Sequence, residues 1–129
     1  MYVDASVMVA ILAGFPAANA LVIRLGEADE RVTSVVSAFE AVVAVASQMA
    51  DRPAASAAVF EFLEICDIRV VGAGGEILEG LAEAHLLYGK GSGHPAGLNI
   101  GDCFAYATAR AAGLPILHEG EDFARTDLG

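Results

Sequence analysis

The chain has 129 residues, a length that predicts a single domain over residues 1–129. Seventeen residues are acidic and 7 are basic, so the formal net charge is −10. The charge excludes broad electrostatic binding to nucleic acid, and no apolar window reaches the roughly 18 residues that a membrane span needs. The N-terminus also lacks the basic stretch of a signal peptide, so we expect a cytoplasmic protein with no membrane contact. Its hydrophobic fraction of 56% predicts an apolar surface that binds a partner or a second copy of the chain.

Short β-rich segments alternate with longer helical segments along the chain. Strands are predicted at MYVD (1–4), VTSVV (32–36), IRVVG (68–72) and PILHE (115–119). Helices are predicted at 7–14, 19–28, 37–49, 54–65, 76–88 and 101–112. Such alternation predicts an α/β domain around a small, mostly parallel sheet, in which ligands bind beyond the carboxyl ends of the strands.

Four acidic residues fall just after a predicted strand or in the first turn of a predicted helix: Asp4, Glu40, Asp102 and Asp122. In a parallel sheet, all four would project near the same edge. Each also has a purely structural explanation, because Asp4 can cap a helix, Ser37-x-x-Glu40 and Asn99-x-x-Asp102 match capping boxes, and Asp122 can stabilise the positive end of a short helix.

Taken together, the four acids predict a metal site. Two carboxylates about 5 Å apart repel by roughly 3 kcal/mol at an effective dielectric of 20, so four at one edge require protons or a cation. Hard oxygen ligands suit Mg²⁺ or Mn²⁺, and one or two such ions can activate water against a phosphodiester.

Other candidate chemistries fit the sequence less well. The segment GAGGEI ends at Ile77, where a dinucleotide fingerprint requires its third glycine, and Lys90 lacks the flanking residues of a P-loop. The three histidines have no metal-ligand spacing, and the two isolated cysteines are predicted to be reduced. Ser6 has no catalytic triad around it, although its hydroxyl can bond Asp4 or a metal-bound water.

The motifs VDASVMVAILAG, SAFEAVV, HPAGLNIGDCFAYATARAAGLPIL and EDFARTDL resemble PIN-domain proteins, and most closely the VapC toxins. The resemblance implies a three-layer α/β/α domain, a Mg²⁺- or Mn²⁺-dependent endoribonuclease and a homodimer. It also implies inhibition by a small antitoxin from the same operon, whose tail lies across the active-site groove.

Matched position by position, the acidic cluster of the VapC family falls on the four acids already selected. Ser6 matches a small polar position beside the metal. Asp127 in RTDL matches a possible outer-shell acid, although solvation of a helix or of the chain end explains it better. The chain departs from the family pattern at Glu119, where related sequences often have a basic residue. It also ends soon after RTDL, so we expect a final edge strand to be very short or absent.

These observations predict metal-assisted hydrolysis of an RNA phosphodiester. Asp4, Asp102 and Glu40 would hold the ion directly or through water, and Asp122 would act as a further ligand or orient the attacking water. The basic residues expected to reach phosphates are Arg24, Lys90, Arg110 and Arg125.

Two other functions compete with this prediction. A phosphatase with an aspartyl nucleophile would favour a DxD start, which Asp4-Ala5-Ser6 does not supply. A non-catalytic α/β interaction module would use the acids as helix caps and its apolar helices to bind a partner.

Overall fold

The computed structural model describes all 129 residues, which form four strands and six helices. The strands are β1 (Tyr2–Val3), β2 (Val32–Ser34), β3 (Arg69–Val71) and β4 (Ile116–Leu117). The helices are α1 (Ala5–Leu12), α2 (Ala18–Glu27), α3 (Val35–Ala46), α4 (Arg52–Ile65), α5 (Leu78–Tyr88) and α6 (Ile100–Ala112). A 3₁₀ turn at Gly75–Ile77 leads into α5. The predicted order of elements is confirmed.

The four strands form one sheet in the order β3-β2-β1-β4, and every neighbouring pair is parallel. Tyr2 of β1 pairs with Val32 of β2 on one side and with Ile116 of β4 on the other. The chain therefore winds outward from β1 in both directions. The carboxyl end of β1 lies at the change of strand order, where α/β sheets bind their ligands.

Apolar side chains bury both faces of the sheet. Val3 and Leu117 belong to a cluster that includes residues of α1, α2, α3 and α4. Tyr2 and Ile116 belong to a second cluster, with residues of α5 and α6 and with Phe123. Because successive residues of a strand point to opposite faces, the sheet separates two helical layers, and the three-layer α/β/α architecture is confirmed.

The second and fourth strands end earlier than predicted. The hydroxyl of Ser34 accepts a hydrogen bond from the Ser37 backbone N–H at 3.1 Å, and this N-cap starts α3 at Val35. Ser37 is therefore inside the helix, and the predicted capping box from Ser37 to Glu40 is wrong. The final strand stops at Leu117, which places residues 118 and 119 in a loop.

No strand follows β4, in agreement with the expectation of a very short or absent edge strand. A single backbone hydrogen bond, 3.1 Å from the N–H of Ile116 to the carbonyl of Leu128, holds the C-terminal segment near β4. None of the six helices combines the length and the apolar character that crossing a membrane would require.

Candidate active site

Asp4 follows β1 directly and is the N-cap of α1. Its Oδ2 accepts a hydrogen bond of 3.0 Å from the backbone N–H of Ser6. The residue is only 7% exposed, and burial raises the pKa of its carboxyl, although the hydrogen bonds from Ser6 act in the opposite direction. Asp4 is therefore both a cap and a buried carboxyl group at the strand edge.

Asp102 occupies the first turn of α6, where the predicted capping box is present. The N–H of Asp102 donates to Oδ1 of Asn99 at 2.8 Å, and the N–H of Asn99 donates to Oδ2 of Asp102 at 3.1 Å. The pKa of Asp102 is raised to about 7, first by burial and also by the nearby negative charges of Asp122 and Asp4, while the Asn99 hydrogen bond acts in the opposite direction. A carboxyl group with this pKa is poorly compensated by the surrounding protein.

Glu40 projects from α3 towards the first turn of α6. Its carboxylate lies so close to Gly101 that a Cβ atom on that glycine would stand 2.7 Å from Cδ of Glu40. The pKa of Glu40 is raised by burial and by the negative charge of Asp4. The absence of a side chain at residue 101 therefore allows Glu40 to reach this position.

Asp122 lies in a turn after β4 and not at the start of a helix, so the predicted stabilisation of a short helix is wrong. The next residue, Phe123, is 1% exposed and packs into the core beside α6. Phe123 therefore anchors the turn, while the Asp122 side chain stays exposed.

One cleft of about 330 Å³ collects all four predicted acids. Its polar lining consists of Asp4, Ser6, Glu40, Asp102, Glu119 and Asp122. No lysine or arginine side chain lines it. No group of three acidic side chains in the cleft is already arranged to coordinate a metal ion. An ion bound there would therefore draw the carboxylates inward or be coordinated partly through water.

Ser6 and Asp127 have different positions relative to this cleft. The hydroxyl of Ser6 lines it and accepts a hydrogen bond of 3.0 Å from the backbone N–H of Glu119. Asp127 is not among the lining residues. Its carboxylate accepts hydrogen bonds from the hydroxyl of Tyr106 at 2.7 Å and from the guanidinium of Arg110 at 3.1 Å.

A buried polar cluster beneath Asp4 was not predicted from the sequence. The Tyr2 hydroxyl donates to the Ser34 hydroxyl at 2.9 Å and lies 2.7 Å from the Ser37 hydroxyl. All three residues are buried. A tyrosine in the first strand, together with one serine at the end of the second strand and another just after it, is a weak signal, because serine is mostly exposed and tyrosine is of intermediate burial.

The donor set of the cleft fits a hard divalent cation. Its charged ligands are carboxylates, which suit Mg²⁺ or Mn²⁺, and its lining supplies no basic side chain to neutralise them. Burial raises the pKa values of Asp4, Glu40 and Asp102 because no positive partner offsets it; the charge of His118 lowers the pKa of Asp4, but by less than burial raises it. A cation would supply that partner.

Comparison with known proteins gives one family. The family model described as the PIN domain matches residues 1–128. A VapC ribonuclease of Rhizobium meliloti (strain 1021) is 39% identical over 143 aligned residues, which cover 99% of this chain and 99% of the relative. Ribonuclease VapC42 of Mycobacterium tuberculosis (strain H37Rv) is 37% identical over 128 residues, covering 99% and 96% respectively.

A solved structure has the same fold. The crystal structure of Mycobacterium tuberculosis VapC20, described as a sarcin-ricin loop cleaving toxin, matches with a TM-score of 0.78. The match covers 99% of this chain and 95% of that chain at 17% sequence identity. At this identity the similarity concerns the fold alone, which is the fold built above from the strand order and the two helical layers.

Proposed function

Because the chain belongs to the PIN-domain family, in its VapC ribonuclease branch, we propose that it is a Mg²⁺- or Mn²⁺-dependent endoribonuclease and the toxin of a type II toxin–antitoxin pair. The observation that carries the proposal is the cleft that gathers Asp4, Glu40, Asp102 and Asp122 without a basic side chain. We further propose that residues 1–129 act as a single domain and that the protein works in the cytoplasm.

The reaction is the hydrolysis of an RNA phosphodiester, in which water adds to phosphorus and a P–O bond breaks. When bound, the divalent cation supplies positive charge beside the phosphate and lowers the pKa of water. Asp4, Asp102 and Glu40 would hold the ion. Asp122, exposed on its turn, would complete the ligand set or orient the attacking water.

The residues around the acids fix their positions. Ser6 ties the loop after β4 to the start of α1 through its hydrogen bond from Glu119. The capping box from Asn99 fixes one oxygen of Asp102. The capping box restricts the orientation of the Asp102 carboxylate, and the Ser6 bond restricts the loop after β4, so less entropy is lost when substrate binds.

RNA recognition relies on few basic residues. Arg110 is bonded to Tyr106 and Asp127, so it is the least available of the four cations predicted to contact phosphate. With a net charge of −10, the protein would select RNA by shape and by unstacked bases rather than by broad charge attraction. VapC20 is described as cleaving the sarcin-ricin loop, and we propose an RNA loop as the substrate class here as well.

Exposed apolar residues support the proposed protein partners, a second copy of the chain and a small antitoxin. On α3, Val35, Phe39 and Val43 recur every four residues and are all exposed, so they form one apolar stripe. A second exposed set lies on α2 and α4: Val22, Ile23, Phe60 and Ile65. Exposed apolar surface of this extent is typical of proteins that bind other proteins.

The substitution Asp102→Asn tests the proposed activity. Asparagine can still accept the hydrogen bond from the Asn99 backbone, so the fold and its circular dichroism spectrum should be unchanged. We expect Mn²⁺-dependent cleavage of single-stranded RNA to fall at least 100-fold, because one anionic ligand is lost. Full retention of cleavage by a folded Asp102→Asn protein would contradict the proposal.

A non-catalytic interaction module is the second candidate, and one observation favours it: Asp4 and Asp102 do cap helices. Helix capping does not explain why Glu40 of α3 and Asp122 of the turn after β4 lie in the same cleft as these two caps. Isothermal titration calorimetry separates the two functions, since we expect Mn²⁺ binding at millimolar metal to the wild type and much weaker binding to Asp102→Asn. Equal absence of binding in both proteins would favour the interaction module.

A further inference from the structure

An open groove lies beside the acidic cleft. It has a volume of about 750 Å³ and is lined by residues of α5, of α6 and of the loop between them, a size that falls within the range of about 300–1,000 Å³ for small-ligand sites. Glu40 lines both the groove and the cleft. Gly101 lines the groove and the next residue, Asp102, lines the cleft. The two cavities therefore share a wall.

The interior of the groove is apolar. Leu98 and Cys103 are buried at its base, while Leu81 and Phe104 are half-buried along its walls. The lining contains two aromatic rings, the phenyl ring of Phe104 and the imidazole of His85. Apolar walls with an aromatic ring are the surroundings in which proteins hold unstacked bases of single-stranded RNA.

Polar and basic groups also line the groove. Three exposed side chains contribute to it: His85, Lys90 and Asn99. Lys90 is the one lysine or arginine side chain that lines either the groove or the acidic cleft. In a protein of this net charge, a cation in the groove that adjoins the acidic cleft is suited to pair with a phosphate that the acids would otherwise repel.

We propose that the groove between α5 and α6 receives one unstacked nucleobase of the RNA, next to the phosphodiester that is cleaved at the acidic cleft. A base and its phosphates are joined by a single ribose, so simultaneous occupation requires adjoining cavities, and Glu40 marks where these two adjoin. Lys90 pairs with a phosphate at the mouth of the groove. The proposal rests on the ribonuclease function proposed above and adds to it a subsite for the base.

The substitution Ala82→Leu tests the subsite by partly filling it. Ala82 lines the groove from α5 and is exposed, and leucine is a good helix former, so the fold should be preserved. Ala111→Leu, at an exposed position of α6 that lines neither cavity, is the matched control. We expect Ala82→Leu to lower kcat/KM for a single-stranded oligoribonucleotide about tenfold and the control to leave it unchanged.

Abasic scanning identifies the base concerned. Nucleotides of the same RNA are replaced one at a time by an abasic unit. In the wild type, one replacement next to the cleaved bond should lower kcat/KM about tenfold; in Ala82→Leu the same replacement should cost less than twofold. Equal losses in both proteins, at every position, would overturn the proposal.

A measurement without cleavage separates the subsite from the activity. RNA carrying 4-thiouridine at the identified position, or at each position in turn if nothing is cleaved, is photocrosslinked to the full chain. We expect crosslinks in the groove lining, at Leu81 or Phe104, and their loss in Ala82→Leu. Crosslinks there without cleavage by any preparation would contradict the ribonuclease function and retain the base site, whereas cleavage with crosslinks only elsewhere would overturn the base site and retain the function.

Two further results discriminate between occupants of the groove. Lys90→Met should reduce the slope of log affinity against log salt by about one, as loss of one phosphate contact does. In sedimentation velocity, Ala82→Leu and the control should have the same oligomeric state. Dissociation of Ala82→Leu alone would show that a second copy of the chain, and not a nucleobase, occupies the groove.

Discussion

Two aspartates at opposite ends of α6 have contrasting surroundings. Asp102, at the start of the helix, faces a cleft of other carboxylates that no basic side chain lines. Asp127 lies against the C-terminal half of the helix and is hydrogen-bonded to Tyr106 and Arg110. The pKa of Asp102 is raised to about 7, first by burial. The pKa of Asp127 is lowered, first by the Tyr106 hydrogen bond and also by the charge of Arg110. The first acid has only a backbone hydrogen bond from Asn99 and no cationic partner, whereas the second has a cation and a hydroxyl donor, which is the difference expected between a ligand site and a structural contact.

Among variants that keep every acid, Gly101→Ala should have the largest effect on this contrast, because it disturbs the acidic cleft. A methyl group at residue 101 would overlap the Glu40 carboxylate and displace it. We expect Mn²⁺-dependent RNA cleavage to fall tenfold or more. Gly80→Ala is the matched control, because a Cβ there would stand 3.5 Å from the nearest atom, Cβ of Ala107, at ordinary contact distance. Equal activity of the two alanine variants would show that the position of Glu40 is unimportant.

The two aspartates should respond to asparagine substitution with opposite changes in stability. Asp127→Asn removes the anion from a hydrogen-bonded cluster on the surface, so the free energy of unfolding should fall by about 1 kcal/mol. Asp102→Asn removes a negative charge from among like charges, so the free energy of unfolding should rise at pH 8 without divalent cations. Urea denaturation of both variants and the wild type measures this, and a decrease for Asp102→Asn would contradict the assignment of the cleft as uncompensated.

The pH dependence of stability should be the smallest of these effects. The carboxyl groups of Asp4, Glu40 and Asp102 have raised pKa values in the folded protein. Between pH 4, near the ordinary carboxyl pKa, and pH 7, near the Asp102 pKa of about 7, the folded state binds more protons than the unfolded state. The contribution of these groups to the free energy of unfolding is therefore complete below pH 4 and is lost as the pH rises through 7.

Thermal melts in chelator should therefore show the contribution of the cleft to stability declining from pH 5 to pH 8, and Asp102→Asn should decline less than the wild type. Millimolar Mn²⁺ should restore the wild type at pH 8 more than the variant. Identical pH profiles for the two proteins, with and without Mn²⁺, would show that Asp102 is not part of an uncompensated cluster.

The sequence was sufficient to predict the architecture and the gathering of the four acids. Alternating apolar segments predicted the helices and strands, and the placement of acids after strands predicted a shared edge, which the cleft confirms. The boundaries were less predictable, since a serine cap competes with strand extension: Ser34 and Ser37 are both suitable caps by residue type, and only the folded backbone shows that Ser34 is used.

Contacts between distant segments could not be predicted at all. The fit of Glu40 against Gly101 joins residues 61 positions apart, and nothing local to either residue indicates it. The same is true of Asp127, whose partners Tyr106 and Arg110 lie on α6. The sequence offered Asp127 as an outer-shell acid or, preferably, as a solvating residue at the chain end, whereas its hydrogen bonds place it in a cluster that holds the C-terminal segment.

The pairing of β1 with β4 joins the two ends of the chain. Asp4 follows the first strand and Asp122 follows the last, so the two acids are 118 positions apart in the sequence and share one cleft. On a ribosome, a chain that has not yet been completed through residue 122 has at most three of the four acids, and until β4 is released from the exit tunnel β1 has no neighbour on that side. A site built in this way forms only when the segments that carry Asp4 and Asp122 have both been synthesised and have folded against each other.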